Sequence, residues 1–124
     1  MIPSEFRLKK ERNFEILFSE GDFEGGDIVD LKYWKIDIDK YSGRFNENDL
    51  KIGFIVSSNI SNKATVRNKK KRQIREATKE LLNQYNKNKG YLAAILAKET
   101  ILDYGFEDIK DDIRNLLTKV GIIE

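Results

Sequence analysis

Between Thr65 and Tyr85 two patterns are superimposed on one stretch of chain, and together they leave few folds open. At about 100° per residue, Val66, Ile74, Ala77, Leu81 and Tyr85 fall along one stripe of a helix, with Arg67, Asn68, Lys71, Arg72, Arg75 and Lys79 opposite. Such a helix must lay its stripe on a core and keep its cationic side clear of it. No acidic residue interrupts the run from Lys63 to Arg75. An ordinary exposed helix interleaves Glu and Lys at i, i+4; here Arg67, Lys71 and Arg75 repel one another at that spacing, and the isolated fold gains nothing. A solvated face that keeps the chain soluble is the plain reading of any charged helix. A face of one sign points instead to a polyanion, nucleic acid first, and Asn68 and Arg72 suit hydrogen bonds to phosphate oxygens. Lys70 lies near the apolar stripe, from which its stem could carry the amine outward.

The remaining pattern surrounds this helix with a sheet. Phe14, Leu17 and Phe18 recur at helical spacing from about residue 10 to 19, with Gly21 placed to end the helix. Gly25-Gly26, within residues 22–27, reads as a turn. Residues 28–38 alternate, with Val29, Leu31 and Tyr33 on one parity and Trp34, Ile36 and Ile38 on the other, which suggests a bulge near Tyr33-Trp34. Residues 41–49 form a polar loop and residues 51–57 a short strand. Tyr91–Ala97 is continuously apolar and starts after Gly90, as a central strand does. Ile109, Ile113, Leu116, Leu117 and Val120 mark a last helix, about residues 106–120, ahead of Gly121. The expected fold is α+β, a two-layer α/β sandwich of order α-β-β-β-α-β-α. At 124 residues the chain makes one domain, with residues 1–9 a flexible basic arm.

Composition narrows the chemistry. The chain has no cysteine and no histidine, which excludes disulfides, the usual zinc sites and Ser-His or Cys-His nucleophiles. Its formal net charge is only +2, so the basic helix is a matter of distribution; residues 20–49 and 107–112 carry most of the acids. Asp37-Asp39 and Asp108–Asp112 could be offered as a two-metal nuclease site, but they alternate on a strand or crowd the solvent side of a helix, as solvated charge does. No apolar run approaches the roughly 20 residues that span a bilayer, and residues 1–10 lack the apolar core of a signal peptide. The cytoplasm is the expected location, and neither a membrane nor DNA is an expected partner.

Arg67-Asn68-Lys69-x-Lys71-Arg72-x-x-Arg75, following a strand that ends Val56-Ser57, resembles the signature helix of the protein subunit of bacterial ribonuclease P. The opening Phe6-Arg7-Leu8-Lys9-Lys10, followed by Phe14 and Phe18, is similar to that family's start, and the likeness covers the whole chain. Two positions depart from the family pattern. Lys69 stands where Arg is usual, keeping charge but losing the planar fork, and Ser58 and Asn59 stand where the family has lysines, with Lys63 nearby.

The resemblance implies a ribosomal protein S5 domain 2-like fold with a left-handed βαβ crossover, against the usual hand. It implies a protein cofactor of a catalytic RNA, whose Mg²⁺ ions serve the hydrolysis that removes the 5′ leader of precursor tRNA. The holoenzyme is then the endoribonuclease, and the protein alone supplies no catalytic residue, in keeping with a chain that offers no obvious general base. By the same resemblance Arg67, Asn68, Lys69, Lys71, Arg72 and Arg75 contact the RNA subunit. Phe14, Phe18 and Tyr33 are candidate stacking platforms for the leader, with Trp34 an alternative to Tyr33, and Lys10 a backbone contact beside Arg7, Lys9 and Arg12. Phe14 and Phe18 at i, i+4 are also an ordinary core spacing. Two other readings stay open: a general RNA-binding or ribosome-associated domain without a catalytic RNA partner, and a module that docks on an acidic protein.

Overall fold

Tyr91–Ala97 is the strand on which the rest is assembled. The computed structural model describes residues 6–41 and 43–124. In chain order the elements are helix α1 (Glu11–Glu20), strands β1 (Asp22–Gly25), β2 (Val29–Lys35) and β3 (Leu50–Ile55), helix α2 (Ala64–Gln84), strand β4 (Tyr91–Ala97), a 3-10 turn (Glu99–Asp103) and helix α3 (Phe106–Lys119). The sheet order is β1-β2-β4-β3. β4 runs antiparallel to β2 from Val29↔Ala97 to Lys35↔Tyr91, and parallel to β3 from Leu50↔Tyr91 to Ile55↔Leu96.

The continuous apolar character of β4 has a direct cause: both faces of the sheet are covered. On one side α2 and α3 bring Ile74, Ala77, Leu81, Ile109, Ile113 and Leu117 against Val29, Leu31, Leu50, Ile52, Ala93 and Ile95. On the other, α1 sets Ile16 and Leu17 beside Leu8, Trp34, Leu92 and Ala94. Each such Ile or Leu contributes about 1.5–3 kcal/mol, so the apolar stripe of α2 holds its cationic side in a fixed orientation.

Three expectations are corrected. β2 carries no bulge, because its register with β4 is unbroken. Val29, Leu31 and Tyr33 face α2 and α3, whereas Trp34 faces α1, so apolar residues on both parities mean two covered faces rather than a slip. Residues 22–25 are an edge strand, antiparallel to β2, and the turn is confined to residues 26–28. That turn is held by Asp112 of α3, whose Oδ1 accepts the Asp27 N–H (3.2 Å) and whose Oδ2 accepts those of Ile28 and Val29 (2.9 Å each). A Cβ on Gly26 would lie 2.7 Å from that Oδ2, so only glycine admits the clasp. Finally, of the expected flexible arm, residues 1–5 lie outside the described residues, but the chain from Phe6 onward is docked. Arg7 bridges in parallel to Ile52, the Leu8 N–H donates to the Ile52 carbonyl (3.2 Å), and Leu8 is buried. The unpaired edge of β3 supplies the backbone partners that hold it.

Candidate nucleic-acid interface

α2 begins without a side-chain cap at Lys63 and has no acid in its first turn. Its free N–H groups and positive dipole end therefore add to, rather than offset, the charge of Lys63, Arg67, Lys69 and Lys71. Asn68, Lys69 and Arg72 are exposed along the crest of the helix, while Arg67, Lys71 and Arg75 are half-buried on its flank. Arg67 is tethered, its Nη1 donating to the Ser61 carbonyl at 2.8 Å, which fixes the turn leading into the helix. Lys70 does snorkel, and finds a partner at the surface: its Nζ donates to the Tyr104 carbonyl at 2.8 Å and ties α2 to the start of α3. Desolvation, with a smaller push from Lys69, draws its pKa below the usual lysine value.

On the flank, Lys71 and Arg75 face Arg7, Phe14 and Gly53 across a groove at the β3 edge. Phe14 is half-buried there, and a Cβ built on Gly53 would come within 2.6 Å of its ring. The ring therefore lies against bare backbone, close enough to both cations to share a ligand with them. No sequence pattern signals that the α1 aromatic and the α2 cations meet. Their contact depends on the docked N-terminal segment and on how far α2 overhangs β3.

Phe18, one turn along α1 from Phe14, is 42% exposed. It overlooks the side of the sheet on which the register aligns Phe23, Lys32, Ala94 and Gly53 across the four strands. Phe23 is 60% exposed, and Lys32 is half-buried in the middle of this row. Tyr33 does not belong to it, because its parity sends the side chain to the α2–α3 face, where it packs on the main core. Trp34 is on the α1 side but is only 8% exposed, edge-on to Tyr41 (5.6 Å) and Phe45 (5.5 Å). Phe14 and Phe18 thus share α1, one turn apart, but only Phe14 lines the groove with Lys71 and Arg75, and Tyr33 lies on the other side of the sheet. Sequence reasoning passed over Lys32 and Phe23; reading β2 as one unbroken alternation would have placed Lys32 on the same face as Trp34. Lys10, at the start of α1, is exposed and lines a further groove with Arg7 and Lys9.

Three of the carboxylates weighed as metal ligands have other work. Asp37 Oδ1 accepts the N–H groups of Asp39 and Lys40, Asp111 pairs with Arg114 (3.2 Å), and Asp112 holds the β1–β2 turn. Among the described residues no three His, Cys, Asp or Glu side chains converge to hold a metal ion, and no helix is long and apolar enough to cross a membrane.

Fold and surface together define an α+β sandwich protein with a cationic helix beside an aromatic-lined groove. The family model described as Ribonuclease P matches residues 2–121, and the chain belongs to that family. It is 29% identical to the ribonuclease P protein component of Pseudanabaena sp., over 99% of this chain and 97% of that one. It is 30% identical to the component from Clostridium acetobutylicum, over 96% of this chain and 92% of that one. Among solved structures, the Staphylococcus aureus RNase P protein shares the fold with a TM-score of 0.75 at 19% identity, covering 96% of this chain and 98% of that chain. The Thermotoga maritima RNase P protein does so at 0.70 and 23% identity, covering 91% and 96%.

Proposed function

We propose that this chain is the protein component of a ribonuclease P holoenzyme, binding the catalytic RNA through α2 and the 5′ leader of precursor tRNA through the α1 side of the sheet. Family membership supports the first half. The second rests on one observation above others: Lys71 and Arg75 of the signature helix share a groove with Phe14, so one surface offers charge to a phosphate and a ring to the adjoining base. The exposed crest, Asn68, Lys69 and Arg72, is left to the catalytic RNA, and the flank serves where leader and catalytic RNA come together. Arg67 supports the crest by holding the preceding turn as well as by its charge.

Bases of any identity stack on Phe14 and Phe18, each for about 1–3 kcal/mol, as sequence-tolerant leader recognition requires. Lys32 and Lys10 supply phosphate contacts at either side of α1. Hydrolysis of the phosphodiester belongs to the RNA and its Mg²⁺. Among the described residues no three His, Cys, Asp or Glu side chains converge on a metal site, and Asp37, Asp111 and Asp112 are engaged by backbone N–H groups or by arginine. The protein contributes by neutralising phosphates where two polyanions meet, which lowers the Mg²⁺ concentration that assembly needs. The holoenzyme would work in the cytoplasm on precursor tRNA.

The test is affinity for the cognate catalytic RNA at physiological salt. Arg72→Ala and Arg75→Ala should each weaken assembly by roughly tenfold, the scale of one lost charge-assisted phosphate contact, with unchanged thermal unfolding. Wild-type affinity in both variants sinks the assignment of α2 and favours a general RNA-binding domain.

A further inference from the structure

The groove beside Phe14 does not end at Arg7. Arg7 and Leu8 line it and also line a second groove, of about 360 Å³, on the α1 side of the β3 edge. That volume is within the roughly 300–1,000 Å³ of clefts that hold ligands. Its walls bring Lys9 and Lys10 from ahead of α1, Arg44 from the β2–β3 connection and Lys51 from β3 to the same space as Arg7, with Asp49 the one carboxylate among the described lining residues. Asp49 is occupied, its Oδ2 accepting the Asn46 N–H at 3.0 Å.

Several cations elsewhere are engaged by carboxylates, Arg12 by Glu15, Lys40 by Glu20, Lys110 by Glu80, Lys119 by Glu24 and Arg114 by Asp111. Among the described residues Arg7, Lys10 and Arg44 make no ion pair. Arg44 is nonetheless held in place, its Nε donating to Asn13 Oδ1 at 2.8 Å, which leaves the outer edge of the guanidinium to a ligand. Phe45 is fixed in the same wall by edge contacts with Trp34 (5.5 Å) and Tyr41 (6.2 Å). An oriented guanidinium beside a preset aromatic, with further cations around it, suits a single-stranded polyanion.

We infer that this second groove holds the leader nucleotides that lie farther from the cleavage site than those on Phe14, with Arg44 as its central phosphate contact. The inference rests on the holoenzyme reading given above and extends it to a site that the signature helix does not include. A strand passing Phe14 reaches the groove along the wall that Arg7 and Leu8 share. The exposed crest of α2, by contrast, contributes none of Asn68, Lys69 and Arg72 to the lining of either groove.

The experiment uses the holoenzyme reconstituted from the full chain and its cognate catalytic RNA, with precursor tRNAs carrying a short or a long leader. Wild-type protein should bind the long-leader substrate more tightly. Arg44→Glu should weaken that binding by roughly tenfold while leaving the short-leader affinity and assembly with the catalytic RNA at wild-type values. Arg44→Lys should restore most of the loss, and Asn13→Ala, which removes the Nε acceptor but no charge, should stay close to wild type. An Arg44→Glu protein that keeps the full leader-length effect overturns the inference. So does an equal loss for both substrates or at assembly, which gives the groove to the catalytic RNA, and so does an equal loss in Asn13→Ala, which makes Arg44 an anchor of its loop. Failure of the wild-type protein to assemble at all refutes the holoenzyme reading itself and is seen before any variant is compared.

Discussion

Gly53 leaves open the space that the Phe14 ring fills, and this single absence of a side chain shapes the groove between α1 and α2. Gly53→Ala puts a carbon 2.6 Å from the ring, so either the ring or α1 must shift. We expect a loss of about 1–3 kcal/mol in stability, the scale of an overpacked site, together with weaker leader binding; equilibrium unfolding and leader titration would read the two effects. Phe18 is a cleaner probe, because at 42% exposure it gives the core little. Phe18→Ala should cost about 1–3 kcal/mol of leader affinity with an unchanged unfolding midpoint, and unchanged affinity would show that no base stacks there. At this scale the sequence was legible in setting Phe14 and Phe18 one turn apart on a helix, but it left open whether either packs in the core. It failed at Tyr33, because a strand covered on both faces offers apolar residues on both parities and so hides which side each one takes.

The elements follow the strength of their patterns. β4 is apolar from end to end and was legible to the residue. α2 was legible within a residue at each end, because its stripe and its cationic face reinforce each other. β1 was not legible: it is four residues long, polar apart from Phe23, and owes its place to pairing with β2 and to a clasp from α3, 83 to 85 positions away in sequence. A carboxylate that accepts three N–H groups is an arrangement only tertiary structure reveals. Asp112→Ala should leave those donors unpaired and cost about 1–3 kcal/mol, read by denaturant unfolding. Because the clasp lies across the sheet from β3, binding of the catalytic RNA should stay unchanged in the folded fraction.

At the scale of the whole molecule, the grooves at the two edges of the sheet differ in the charge that lines them. Arg7, Lys71, Arg75, Lys10 and Arg44 gather at the β3 edge, whereas Asp27, Asp108, Asp111 and Asp112 gather about the β1–β2 turn at the other. A formal charge of +2 conceals this polarity, which on the proposed reading steers the protein toward RNA before contact. Affinity for the catalytic RNA should therefore fall linearly on a log–log salt plot, by about 0.7–0.9 per phosphate neutralised, and the Arg72/Arg75 double-alanine variant should show a shallower slope. If this surface makes a catalytic RNA effective on precursor tRNA, the effect is seen in cleavage of 5′-extended precursor tRNA by the cognate catalytic RNA at low Mg²⁺, with and without the protein. Strong stimulation is expected from the wild-type chain and little from a folded Arg72/Arg75 double-alanine variant; equal cleavage with and without the wild-type chain would contradict the holoenzyme assignment.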